Sequence, residues 1–547
     1  MNSLASPTWA ALASRVARMP VWPKSFYLFG ASLQTARVAR QLRRRGTAVP
    51  AQEQTFAKLR SRLAQTSFWR QSGVEAAMDY EIFRRRVPLR TYDQLAPAIE
   101  QMKRGGADVL WPGCCALFAL SAGTTDGRPK ELPVTDELLA HVRQARAASL
   151  WYYTARTGHA GIFRGRHLSL GGPTALQPVP ERNGSPAYAG NLNGIAALSA
   201  PAWEERHLRE PGPAVAAMTN WPAKVIAIAE QARRLDVSLL AGIPNWLLFL
   251  ADTLREKSGG TGSTIATLRD LWPNLECCVH RGVPIAPFLA ELSGALGAPT
   301  RFHEVYSAAE GYIAAQDAEA AAGLRLMAEQ GVFFEFLPMA EFEEKRLDQL
   351  GTRALPLAAV KTGVDYALVL TSPGGLARYV VGDIVRFIST EPPRLVYVGR
   401  TRLRLDAFGE RVNEKEVTDA LVAICAQHDW TIVNFHVAPL FLPSNTAQRR
   451  GRHEWWVELK PGTVATPTGP QMAVELDAEL QRSCPEYRAK RNGGGMEAPF
   501  VRLVMPGVFR HWLRFHGELG HENKTPRCRS DRLVADELAQ ITNFARD

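Results

Sequence analysis

An apolar run, Ala116-Leu-Phe-Ala-Leu120, leads straight into the turn Ser121-Ala-Gly-Thr-Thr-Asp-Gly-Arg-Pro-Lys130. Of all the features of the chain, this junction constrains its fold most. An apolar run of this length before a glycine-rich turn reads as a buried strand. A helix is expected after the turn, capped by Asp136 and reaching about Thr157. Strand, glycine-rich turn and helix make one unit of an α/β fold. Glycine lets a backbone approach a ligand closely, and hydroxyls with backbone N–H groups bind phosphate oxygens. Arg128 and Lys130 supply countercharge. No Gly-Lys-Ser/Thr sequence ends the turn, so it is not a Walker loop.

The remainder of the chain extends that reading. Residues 35–65 read as helical, and Pro88–Gly105 as a turn followed by a helix. Residues 160–220 are rich in Gly, Pro, Asn and Ala and read as loops. Strand-like and helix-like pieces then alternate: Val237–Leu240, Pro244–Lys257, Glu276–His280 and Pro284–Leu296. From Val332 to Val398 short apolar segments recur between Pro and Gly, which predicts an antiparallel region. After Gly399 a charged stretch, a helix from about Glu416, two paired strands (Val433–Val437, Glu454–Leu459) and a helix over 471–483 predict a separate small α+β domain. The boundary is expected near residue 400, giving domains 1–399 and 400–547. A chain of 547 residues buries a sizeable core without staples.

The formal net charge of +11 comes from scattered Arg rather than a basic tract interleaved with aromatics. That reads as a solvated surface and not a nucleic-acid groove. The Arg-rich residues 35–46 read as a solvated surface helix in preference to a membrane contact. Seven Cys without a Cys-x-x-Cys pair fit a reducing compartment. No signal peptide or transmembrane run is apparent, which makes cytoplasm the default.

Four further motifs carry chemistry. In Glu304-Val-Tyr-Ser-Ala-Ala-Glu310-Gly311, Tyr306 suits stacking on a base and Glu310 suits Mg²⁺, a hard cation that takes oxygen ligands. In Ala377-Arg-Tyr-Val-Val-Gly-Asp383, an Asp after a Gly at a strand junction suits two ribose hydroxyls; the plainer reading is a turn Asp. Gly399-Arg400 and Gly409-Glu-Arg411 suit a phosphate-touching hinge. Glu522-Asn-Lys524-Thr-Pro-Arg527 places a lone Lys in a polar loop. His511, His516 and His521 do not align on one helix face, which speaks against a metal site.

In this order the motifs resemble the auxin-responsive acyl-acid amido synthetases. These plant enzymes, with bacterial relatives, join jasmonate or auxin to amino acids. They belong with the acyl-CoA synthetases, peptide-synthetase adenylation domains and luciferases. Arg86-Val-Pro-Leu-Arg-Thr-Tyr-Asp through Gly105 and Leu132-Pro-Val-Thr135 extend the likeness, which runs from about Phe68 to the end. The resemblance implies a large adenylate-forming α/β domain, with β-sheets, packed helices and a barrel-like part, plus a small mobile α+β C-terminal domain hinged at 400–411. It implies ATP and Mg²⁺ as cofactors. Ser121, Gly123, Thr124 and Thr125 would face the ATP phosphates, with Tyr306 and Ser307 near adenine. Asp383 would hold ribose, Arg400 and Arg411 would reach phosphate, and Glu310 would bind Mg²⁺. Glu310, Lys524 and Arg411 are the expected catalytic set. The implied partners are a small carboxylic acid and an amino acid, with neither nucleic acid nor membrane.

The sequence departs from the family at three places. Ala122 stands where a second Ser is usual, Ala309 where a Ser precedes the motif Glu, and Val380 where Arg is frequent. A thioester-forming enzyme acting on coenzyme A and a weakened nucleotide-binding relative are the alternatives.

Overall fold

The computed structural model describes residues 21–121, 130–180, 185–259, 265–442, 451–461, 467–516 and 525–544. Gly123, Thr124, Thr125, Ala122, Lys524 and His521 lie outside them. The chain divides into two compact units. The first holds Met1–Val283, Leu292–Val381 and Arg386–Val396; the second holds Pro284–Glu291, Gly382–Val385 and Tyr397–Asp547.

In the first unit, helices α1 (Lys24–Leu42), α2 (Ala48–Leu63) and α3 (Tyr92–Lys103) precede the first strands. The single helix expected over 35–65 is thus two. The first ends at Leu42 with Arg43 as its cap, Gly46, at φ 69°, turns the link between the two, and α2 starts from Thr47. Strand β1 (Leu117–Ser121) pairs antiparallel with β2 (Lys130–Pro133). Helix α4 (Asp136–Thr157) follows, but its cap is Thr135, whose hydroxyl accepts from Leu138 N–H at 3.0 Å. Asp136 instead supplies first-turn negative charge. Gly158, at φ 81°, ends the helix.

The main sheet has twelve strands among the described residues. Those longer than two residues are β3 (Arg166–Ser169), β4 (Val237–Gly242), β5 (Cys277–Arg281), β6 (Arg301–Ala308), β7 (Gly311–Ala315), β8 (Leu324–Leu326), β9 (Phe333–Pro338), β10 (Asp365–Thr371), β11 (Tyr379–Thr390) and β12 (Pro393–Arg400). The order runs Leu355–Pro356, β9, β10, β11, β12, β8, β7, β6, β5, β4, β3, Arg209–Glu210. From Arg209–Glu210 to β6 the neighbours are parallel. At β6–β7 the pairing turns antiparallel. The antiparallel region expected from Val332 is therefore edge-joined to the α/β strands in one sheet. Strand β10 is buried from Tyr366 to Thr371, a run without alternation, as expected where both faces are covered.

In the second unit, α5 (Glu414–Gln427) begins with a capping box between Asn413 and Glu416. β13 (Ile432–Phe441) and β14 (Gly451–Leu459) are antiparallel, and β15 (Phe500–Val504) lies parallel to β14. Helix α6 (Gly469–Ser483) packs Met472, Leu476 and Leu480 into a core with Phe435, Trp455 and Val457. Residues 284–296, expected as one helix, form a 3₁₀ turn (Ala286–Phe288) and a helix from Leu289. Among the described residues no helix is long and apolar enough to cross a membrane.

Candidate active site

Three residues, one from each, link three of the motifs inside the first unit. Ser121 and Lys130 are direct partners in the β1–β2 ladder, so both ends of the glycine-rich turn are fixed side by side. Lys130 Nζ lies 3.2 Å from the Tyr379 hydroxyl and 5.8 Å from the centroids of the Tyr92 and Tyr379 rings. Tyr379 is fully buried and donates to the Glu310 carboxylate. Burial, followed by the negative charge of Glu310, holds its phenol far above the usual tyrosine range. Lys130, Tyr379 and Glu310 thus form one polar chain from the first motif through the third to the second. Tyr379 was not in the expected site set, and Lys130 was expected only as countercharge for phosphate, although both stand inside motifs that supplied the set.

Glu310 occupies the turn between β6 and β7, since Ala308 pairs with Gly311. This is where the sheet changes from parallel to antiparallel, at the carboxyl end of β6, a usual place for ligands in open α/β sheets. Tyr306 and Ser307 end the same strand and are half-buried. The turn is held from behind by His141 of α4. Its Nε2 accepts from Tyr312 N–H at 2.9 Å, and its Nδ1 donates to the Gln330 carbonyl at 2.5 Å. Those partners assign the neutral tautomer protonated at Nδ1. A Cβ on Gly311 would lie 3.1 Å from Val332 Cγ2 and 3.4 Å from His141 Nε2, so glycine permits this close approach. No sequence signal marks His141.

Arg378, beside Tyr379, is structural. It is fully buried, at φ 49°, and all five of its N–H donors are used. Two reach Glu335, at 3.1 and 2.8 Å, and three reach the carbonyls of Arg84, Val87 and Gly351. Val380 packs among Leu89, Leu337, Ala354, Ala367 and Val369, so this departure from the family lies in an apolar core.

The other expected residues belong to the second unit. Asp383 is buried, with Oδ1 3.4 Å from Arg400 Nε, so Arg400 is paired with the very carboxylate expected to hold ribose. Gly382 has φ 94°, which lets the chain turn immediately before Asp383, and its carbonyl accepts from Thr401 N–H. Arg411 projects outward at 65% side-chain exposure, 3.8 Å from the exposed Glu486. Its neighbour Glu410 points inward instead, 3.0 Å from His453, both fully buried. The residues after Lys524 are docked on β13. His436 Nδ1 donates to the Pro526 carbonyl at 2.6 Å, Val437 N–H donates to the Arg527 carbonyl, and the Arg527 guanidinium lies over Phe435.

Several buried histidines are held neutral. Burial pushes His280 and His303 down to about 3 and His167 and His436 to about 4, and lowers His141. Their folded values lie below the unfolded value of about 6.5, so their stabilisation is complete above that pH and is lost as pH falls towards the folded values. His303, bonded to Ser149 at 2.9 Å, is the cleanest case. Urea unfolding of a His303→Gln variant is expected to lose stability with acid less steeply than the parent below pH ~6.5, by about 1.4 kcal/mol per pH unit.

Comparison with known proteins follows the same arrangement along the chain. The GH3 family N-terminal domain matches residues 41–176, the GH3 family central domain residues 325–400 and the GH3 family C-terminal domain residues 415–533. The chain belongs to the GH3 family. Among curated relatives, the indole-3-acetic acid-amido synthetase GH3.8 of Oryza sativa subsp. indica is 26% identical, over 87% of both chains. The jasmonoyl–L-amino acid synthetase JAR4 of Nicotiana attenuata is 24% identical, over 87% of this chain and 90% of its own. Of solved structures, the AtGH3.15 acyl acid amido synthetase in complex with 2,4-DB matches with a TM-score of 0.74 at 17% identity, covering 96% of this GH3 chain and 97% of that one. A 2-hydroxyisobutyryl-CoA ligase in its postadenylation state matches with a TM-score of 0.57 at 16% identity, over 90% of both. At these identities the likeness speaks for the fold alone.

Proposed function

We propose that this GH3 protein is an ATP-dependent acyl-acid amido synthetase, a ligase that activates a small carboxylic acid as its adenylate and passes the acyl group to the amine of an amino acid. The observation that carries the reading is the convergence of Lys130, Tyr379 and Glu310 from three motifs, in a chain matched along its length by GH3 domains. In the first step a carboxylate oxygen attacks the α-phosphorus of ATP; a new P–O bond forms and pyrophosphate leaves. In the second the amine nitrogen attacks the acyl carbon, AMP leaves, and the nitrogen loses a proton.

Ser121, Gly123, Thr124 and Thr125 are assigned to the phosphates, Tyr306 and Ser307 to adenine and Asp383 to ribose. Arg400, Arg411 and Lys524 carry positive charge to the phosphates. Glu310 offers a single buried carboxylate held by Tyr379, which fits a Mg²⁺ ion that takes most of its ligands from ATP phosphates and water. Bound there, Mg²⁺ would neutralise charge developing on the phosphates. Rotation of a C-terminal domain beginning near residue 400 would bring Lys524 in for one half-reaction only, and closure would keep water from the mixed anhydride. Cytoplasm is the proposed compartment.

The test is acid-dependent exchange of labelled pyrophosphate into ATP, over a panel of aromatic, fatty and hormone-like acids. Exchange with one acid, followed by amide formation with an amino acid and no thioester with coenzyme A, is the expected result. Thioester without amide would transfer the assignment to coenzyme A ligation. Folded, ATP-binding protein that supports neither exchange nor acyl transfer would mark a relative weakened at Ala122 and Ala309.

A further inference from the structure

The first 52 residues contain eight Lys and Arg and not one Asp or Glu; the first acid is Glu53. Within this stretch α1 has two unlike faces. Ala31, Thr35 and Val38 are buried, Ala31 packing with Tyr153 and Ile162, and Val38 with Ala145 and Tyr152 of α4. Trp22, just before the helix and with its ring 5.4 Å from that of Phe26, leads into an opposite face of Phe26, Phe29 and Leu33, at steps of three and four residues that keep one side of a helix. They are 66%, 62%, 69% and 60% exposed. The same face continues through Arg37 and Arg40, and Arg43, Arg44 and Arg45 follow directly after the helix, all exposed. None of these five guanidiniums has an ion-pair partner among the described residues. The nearby Glu391 and Glu329 instead accept from Gly46 N–H and the Thr47 hydroxyl. The sequence predicted a solvated surface helix here; its outward face is in fact apolar over one half and cationic over the other.

A face with exposed aromatics and a leucine that runs on into unpaired arginines suits the boundary between lipid headgroups and acyl chains. There apolar side chains leave water while guanidiniums meet phosphate in forked geometry. A second copy of the chain is a poor occupant, because a two-fold contact through this face would bring ten guanidiniums together with no acid from the face to neutralise them. We propose that α1 docks this GH3 protein on an anionic membrane surface, with Trp22, Phe26, Phe29 and Leu33 inserted at the interface and Arg37, Arg40 and Arg43–Arg45 on the headgroup phosphates.

The test is co-sedimentation of the full chain with vesicles of phosphatidylcholine alone or mixed with phosphatidylglycerol. Binding is expected to the mixed vesicles and to fall with added salt. A Phe26→Ser/Phe29→Ser variant and an R43Q/R44Q/R45Q variant should each bind mixed vesicles at least about tenfold more weakly, for apolar insertion and charge are both required. Every substituted side chain is exposed, so unchanged circular dichroism and thermal midpoint are expected and serve as the folding control. Equal binding to both vesicle types, or binding lost in the arginine variant but intact in the phenylalanine variant, overturns the inserted face. Absent vesicle binding with concentration-dependent dimerisation that Phe29→Ser abolishes overturns it in favour of self-association. Absent vesicle binding with salt-sensitive capture of an acidic polypeptide such as polyglutamate overturns it in favour of an acidic protein partner.

Discussion

Replacing Arg378 with alanine is expected to destabilise the protein by about 3–5 kcal/mol, measured by urea unfolding near neutral pH. The size follows from what the side chain leaves behind. Glu335 is fully buried, and it is held by Arg378 and by the Tyr80 hydroxyl, which donates at 2.9 Å. Without the guanidinium, the carboxylate faces an apolar interior with one neutral donor. The carbonyls of Arg84, Val87 and Gly351 lose a donor at the same stroke. Arg378 also sits at φ 49°, a conformation that a non-glycine residue keeps only where its surroundings over-determine it. The companion Arg378→Met/Glu335→Leu removes both charges together and is expected to be clearly less destabilised than Arg378→Ala. A pair of equal losses would mean that the three carbonyls, and not the ion pair, set the effect.

Arg378 also shows where sequence reading runs out. Its motif was legible, because small residues, a Gly and an Asp at a strand junction have a pattern. Within the motif, sequence distinguishes nothing between Arg378, which points into a buried network, and Tyr379, which reaches Lys130 and Glu310. The difference is the direction of two neighbouring side chains at the start of β11, whose partners come from residues 84–90 and 335, far away in the chain. Strands fared better. β1, β4, β5, β13 and β14 lie within a few residues of their expected positions, because short apolar runs bounded by turn residues have few other uses. Helix limits went wrong where composition is uniform, as in the link 43–47 between α1 and α2. His141 was invisible, for its role comes from Tyr312 and Gln330, more than 170 residues on.

Glu310→Gln is expected to lower acid-dependent pyrophosphate exchange by roughly 100-fold or more, with ATP binding weakened chiefly in the presence of Mg²⁺. Glutamine keeps the shape of the side chain and its place in the β6–β7 turn, and removes only the charge. Tyr379→Phe tests the same site by another route. It keeps Glu310 charged but takes away the hydroxyl that joins that carboxylate to Lys130. A loss of about 10–100-fold is expected from a group that orients a ligand without being one. The two variants should separate on titration with Mg²⁺. Added metal should restore part of the Tyr379→Phe rate, since an intact but less well oriented carboxylate still binds. It should restore little of the Glu310→Gln rate, since the anion itself is gone. If Glu310→Gln exchanged pyrophosphate at the parental rate, the metal role of Glu310 would fall, and the polar chain from Lys130 would be reassigned to bracing the turn that presents Tyr306 and Ser307. That bracing role makes its own demand: Tyr379→Phe would then raise the KM for ATP at unchanged Mg²⁺ dependence.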